Sequence, residues 1–174
     1  LDMTFVQLIW NSCSLAMMAA IIAALLALLL AYSQRLYPRQ PVRMAVNLAG
    51  MGYALPGTII AIGVIIPLAW FDHQLIAWSE RWLGIELGLV FSGSLIALLF
   101  AYTVRFLAVA LGSVESGLGK IKPSLDHVGY SLGHNSLVVL GRIHVPLMRG
   151  SVLTAVLIVF VDVLKELPAT LILR

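Results

Sequence analysis

Charged side chains are scarce in this sequence. Asp, Glu, Lys and Arg make up 11% of its 174 residues, against about 25% in an ordinary soluble domain. Most of its surface is therefore not made for water. Cysteine is almost absent too. Cys13 stands alone in an apolar segment, so no disulfide can close within the chain. No run of Lys and Arg interleaved with aromatics occurs, which removes nucleic acid as a partner. A phosphate-cradling loop is also missing. The GLGK at residues 117–120 would need Gly at 114 and Ser or Thr at 121, where Val114 and Ile121 stand. The chain is not expected to bind ATP itself. His73, His127, His134 and His144 are scattered without a nucleophile, base or ligand partner at useful spacing. Asp72 beside His73 reads as part of a solvated loop. No catalytic residue, metal or cofactor is expected, and no enzyme.

What is present is apolar. Hydrophobic residues make up 61% of the chain, with a mean hydropathy of +1.01. An integral membrane protein follows, with lipid as its main surroundings. The sequence opens at Leu1 without a basic leader and stops inside LPATLILR. It is expected to be a single domain, residues 1–174, cut from a longer membrane protein.

Four spans are expected, near 9–33, 46–70, 87–110 and 145–172, since about 20 apolar residues cross the hydrocarbon. Met3 to Gln34 carries no charge. The second span is punctuated by glycine and proline, and GYALPG (Gly52 to Gly57) reads as a break or a close-packing point. Pro56 and Gly57 are thus candidates for a translocation path as well as for simple helix packing. Phe71 to Gly88 reads as a short acidic loop beside Trp70, Trp78 and Trp82, which suit a membrane boundary. The third span is expected to end at Arg105. In the fourth, Asp162, Lys165 and Glu166 fall at i, i+3 and i+4, on one helical face. Charges at that depth persist when paired or turned toward water. They read either as a self-neutralising cluster or as part of the path.

Eight of the eleven Lys and Arg (residues 35, 39, 43, 105, 120, 122, 142 and 149) lie in the first and third connections. The positive-inside rule assigns those two connections to the cytoplasm and the Trp-rich loop to the outside. The segment 113–144 is then a cytoplasmic loop. Within it, Ser124 reads as an N-cap, with Asp126 in the first helical turn. Gly133 allows a turn that a β-carbon would resist. A second short helix starts near Ser136, and Pro146 leads into the fourth span.

The spacing in this loop is distinctive. Gly133 is followed by nine residues and then Ile143, a spacer, Val145 and Pro146; SLG precedes and PLMRG follows. The layout resembles the cytoplasmic EAA loop of bacterial ABC-importer permeases, which docks on an ATPase subunit. VDVLKELPATLILR (Val161 to Arg174) is similar to a stretch of the permease family for ferric iron. The resemblance implies an all-α, polytopic fold of the type-I importer permease class in the bacterial inner membrane. It implies ATPase subunits, a periplasmic substrate-binding protein and a second permease domain as partners, the last a second copy or a fused half. It assigns docking to Asp126, His127, Gly129, Ser131, Leu132, Gly133, Ile143 and Pro146. The family's Glu-Ala-Ala falls on His127, Val128 and Gly129, so the usual glutamate is displaced, with Asp126 one residue earlier. The same architecture could import sulfate, thiamine or phosphonate, and a passive channel or scaffold would need no ATPase.

Overall fold

The computed structural model describes residues 3–83, 88, 90–92 and 94–166. Among these the chain is helical, with no strand. Helix α1 (Met3–Leu36) is followed by α2 (Gln40–Met51), a 3₁₀ turn (Gly52–Ala54) and α3 (Gly57–Leu83). Then come α4 (Leu95–Gly119), α5 (Ser124–Ser131), α6 (Ser136–Val139) and a π-helical turn (Leu140–His144). The chain continues through α7 (Val145–Leu147) and α8 (Arg149–Lys165). Among the described residues, three helices contain stretches long and apolar enough to cross a membrane: Ile9–Leu36, Gly57–Arg81 and Leu95–Gly119. A fourth crossing exists if Ser136–Leu147 and Arg149–Lys165, joined by a bend of 80°, are taken together.

The core is built from α1, α4 and α8 packed on one another. Its faces are sorted by size rather than by polarity. Along α1 the buried stripe is Ala16, Ala19, Ala20, Ala23, Ala24, Ala27 and Ala31, while Ile21, Leu25, Leu26 and Leu29 point outward. Lipid is as apolar as leucine, so burying a large side chain gains little, and small residues gain close backbone approach. Ala97, Ala101 and Ala110 of α4 and Ala155, Val159 and Val163 of α8 complete the contact. At the α4–α8 crossing a β-carbon on Gly117 would lie 2.6 Å from Ser151. Ile59, Ile62, Ile66 and Trp70 leave much of α3 exposed.

Several boundaries differ from those the sequence leads one to expect. The break falls at GYALPG, but it separates α2 from a spanning helix that runs on to Leu83, well past residue 70. Residues 71–83, expected as a loop, are therefore helical. Pro67 lies inside α3 without ending it. Asp72 is not a solvated loop residue. Its carboxylate is buried and accepts hydrogen bonds from the backbone N–H groups of Val90 (3.1 Å), Phe91 (2.9 Å) and Ser92 (2.6 Å). It thereby closes the chain leading into α4, where Ser94 caps the helix by accepting from Ala97 N–H.

Arg105 does not end a span. It is the eleventh residue of α4, about 15 Å along a helix that rises 1.5 Å per residue. The apolar FLAVALGSV beyond it keeps the helix going. Without Arg105, the basic excess of the two connections falls from eight residues to seven. Start signals also shift slightly. Ser124 is the first helical residue of α5 and makes no capping bond, because Pro123 holds the capping position. α8 begins at Arg149, after the bend at Met148, rather than at Pro146. The LPATLILR end of the second motif, and with it the end of the expected fourth span, lies outside the described residues.

Candidate functional site

Residues 124–147 form a projection of two short helices, held together by glycine at two positions. At Gly133 the backbone adopts φ +78°. Its N–H donates to the Tyr130 carbonyl (3.0 Å), and His134 N–H donates to the Gly129 carbonyl (3.2 Å). This pair of bonds ends α5 in a Schellman motif, which wants a residue without a β-carbon at that site. At Gly129 the reason is different. A β-carbon there would lie 2.7 Å from Val139 Cγ2 and 3.3 Å from Ile143 Cδ1, so hydrogen alone lets α5 press on α6. Asn135 then caps α6, its side-chain oxygen accepting from Val138 N–H at 2.9 Å.

The two faces of α5 differ sharply. Asp126 and Gly129, three apart, are buried, while Leu125, His127, Val128, Tyr130, Ser131 and Leu132 are exposed. Leu125, Val128 and Leu132 sit at i, i+3 and i+7, so they form one apolar ridge. Leu132 is 69% exposed and Leu137, on α6, 70%. Ser131 spends its hydroxyl on the Val128 carbonyl (2.9 Å). Ile143 is half-buried behind Gly129, and Pro146 is exposed in α7. Beside the ridge, Lys120, Lys122, Leu125, Leu147 and Ser151 line a groove of about 470 Å³.

Asp126 faces away from the ridge, into the protein. Arg35 Nε donates to its Oδ2 at 2.8 Å, and His144 Nε2 stands 2.6 Å from its Oδ1. The same guanidinium donates through Nη1 to the Leu118 carbonyl (2.7 Å) and through Nη2 to the Ile121 carbonyl (2.9 Å). Leu118 lies in the last turn of α4, where its carbonyl also accepts from Ile121 N–H (3.1 Å) and the helix dipole favours a cation. One turn earlier on α1, the Tyr32 hydroxyl donates to the Ser136 carbonyl at 2.8 Å. Its ring centroid lies 5.2 Å from that of His144, which is fully buried. Arg35, Tyr32 and His144 were not among the sequence candidates. Arg35 counted there only as a topology charge, although Tyr32 and Arg35 already share a helical face.

A second group of charges lies deeper in the core. Arg105 Nη2 lies 3.2 Å from Glu166 Oε2. Gly57, the first residue of α3, packs against both: a β-carbon there would collide with Glu166 Oε1 and Arg105 Nη1. One turn back, Gly52 is held against the Val104 carbonyl. The break, α4 and the end of α8 thus meet at one point, with Pro56 exposed beside it. The expected cluster of Asp162, Lys165 and Glu166 on one face does not form. α8 stops at Lys165, and Glu166 has left the helix at φ −83°, ψ 92°. Its carboxylate turns to Arg105, while Lys165 is exposed and Asp162 half-buried.

The chain matches no family model. Among curated proteins it is similar to the "Fe(3+)-transport system permease protein FbpB 2" of Haemophilus influenzae, at 26% identity over 139 residues. That match covers 67% of this chain and 28% of the relative, so the chain spans under a third of its length. The likeness supports an ABC permease family. An all-α protein with apolar helices of spanning length fits it.

Proposed function

We propose that this chain is part of the inner-membrane permease of an ATP-driven importer, and that residues 124–147 dock on its ATPase subunit. The observation that carries this reading is the exposed apolar ridge of Leu125, Val128 and Leu132 on a helix bounded by basic segments. Large apolar side chains standing out of a projection that leaves the spans mark a surface made for a protein partner. The ridge is held rigid from below by Gly129 and Gly133, so these act on docking by shape rather than by contact. His127, at the place of the family's glutamate, is exposed beside the ridge and offers the partner a polar contact.

The cargo we assign is ferric iron, handed over outside by a periplasmic binding protein. The VDVLKELPATLILR resemblance and the likeness to an Fe(3+)-transport permease of Haemophilus influenzae support it. A second permease domain completes the path, with α3 and its outward isoleucines available to face it. We assign Pro56, Gly57 and Glu166 to that path, on the meeting of the helix break with the Arg105–Glu166 pair. ATP binding by the partner shifts the permease between conformations only by its different affinity for each.

The test is a reconstitution of the full-length permease with its ATPase subunits and candidate binding proteins. Ferric uptake that needs ATP and the iron-loaded binding protein is the expected result. Leu132→Asp should abolish capture of the ATPase from detergent extracts while leaving the permease monodisperse. Equal capture by wild type and Leu132→Asp would overturn the docking surface. Uptake driven by a binding protein loaded with sulfate or thiamine, and not with iron, would move the cargo within the same architecture.

A further inference from the structure

The projection is attached to the spanning helices by two routes of different character. The covalent route passes through α7 into α8, and there the axis turns by 80°. Met148 at the corner is non-helical (φ −104°, ψ 18°), and Gly150 follows with no atom near where its β-carbon would be. The second route is non-covalent and runs through the last turns of α1. Arg35 grips α5 through Asp126 and the end of α4 through the Leu118 and Ile121 carbonyls. Tyr32 grips the start of α6 through Ser136 and lies against the His144 ring.

A guanidinium is a rigid planar fork, so three bonds from one Arg fix three partners in mutual orientation. Arg35 holds the Asp126 carboxylate through Oδ2, and His144 Nε2 stands 2.6 Å from Oδ1. Every element of the projection except α7 is therefore tied to α1, and α1 packs along the length of α4.

We infer that Arg35, Asp126 and His144, with Tyr32, are positioning residues that carry movement of the projection into α1 and α4. α8 follows through its packing on those two helices. The inference rests on the reading of the projection as the ATPase docking surface. It adds the route by which docking is felt inside the membrane.

Two measurements on the assembled transporter test it. In the wild-type complex, hydrogen exchange is compared with and without a non-hydrolysable ATP analogue. Amides at 29–36 and 115–121 should change protection together with those at 124–136. A change confined to 124–136, or one that spreads to 149–165 and leaves 29–36 untouched, overturns the inference without any variant.

The second measurement uses Asp126→Asn, which keeps shape and drops charge, and Arg35→Lys, which keeps charge and loses the fork. Both leave the outward ridge intact, so ATPase capture should stay at the wild-type level. Transport per ATP hydrolysed should fall about tenfold, within the range ordinary coupling free energies span. The double variant should be no worse than either single one, because the residues act as a unit. Wild-type stoichiometry in both single variants would overturn the route through α1. Failure of the wild-type permease to capture an ATPase would instead overturn the docking reading beneath it.

Discussion

Gly133 is the position where a substitution separates backbone cost from packing cost most cleanly. Its φ of +78° lies in the left-handed region, and no atom lies within 4 Å of where a β-carbon would stand. Gly133→Ala therefore meets no obstacle and loses only conformational freedom, about 1–2 kcal/mol for an L residue held left-handed. One to two kcal/mol is a factor of about 5–30 in an equilibrium constant. Local opening of the α5 terminus should rise by that factor. The reporters are the amides of Gly133 and His134, bonded to the Tyr130 and Gly129 carbonyls. Hydrogen exchange at His134, corrected for intrinsic rate, should speed up about 5-fold or more in Gly133→Ala. Asn tolerates this conformation, so Gly133→Asn should fall between Gly and Ala. A β-branched Val should be worst. The control carries the opposite sign. Gly50 sits inside α2 with open space around it, so Gly50→Ala should slow exchange there, by up to about 1 kcal/mol of helix propensity. Equal exchange in Gly, Asn, Ala and Val at position 133 would refute the account of α5's end.

The other glycines fail for a different reason, and each failure has its own rescue. Gly129→Ala drives a methyl into Val139 and should cost about 1–3 kcal/mol as overpacking; Val139→Ala in the same chain should recover most of the lost thermal stability. Gly52→Ala meets the Val104 backbone carbonyl and Gly57→Ala only flexible side-chain ends, so the first should lower the melting temperature more. Glu166→Gln leaves Arg105 without its counter-charge. Both side chains are mostly buried, so the loss should be near 3 kcal/mol, and adding Arg105→Gln should return part of it. Detergent-denaturation curves of the four chains measure this, and an additive double variant would sink the pair. Asp72→Asn removes the charge that gathers three backbone N–H groups, and exchange at Phe91 and Ser92 should rise while α1 is unaffected.

How much of this was legible in the sequence depends on the kind of signal. Apolar length found the helices α1 and α4, because a run without charge has one stable answer in lipid. The glycine–proline cluster found the break before α3, and Gly133 found the left-handed turn, since both are backbone properties carried by single residues. What could not be read was which charges meet. Asp162, Lys165 and Glu166 share a face only while the helix lasts, and the helix ends one residue before Glu166. Asp126 was read as pointing toward a partner. It points inward because Arg35, 91 residues away, supplies a fixed positive fork on that side. Pairings across such distances in sequence leave no periodic trace. Asp72 hid for a related reason. Its partners are backbone groups some 20 residues on, which have no residue code at all.

The placement of these polar groups has a logic of its own. The apolar stripes of α1, α4 and α8 fix how closely the helices lie, but alanine on alanine says little about where along the axis one helix stops sliding on the next. Few charged groups settle it. Asp72 holds the chain entering α4, Arg105 holds the far end of α8 through Glu166, and Arg35 holds the end of α4 and the projection. Each is paired within the described residues, as the cost of an unpaired charge in lipid requires. α4 takes part in all three, at its start, its middle and its end. A displacement of α4 along its axis would stretch every one of these pairings at once. A tilt about Arg105 would strain mainly the two ends, Asp72 and Arg35. Movement of α4 between conformations should therefore be rocking rather than sliding. Spin-label distances from the two ends of α4 to α1 would then change in opposite senses when nucleotide binds, and changes of the same sense would count against it.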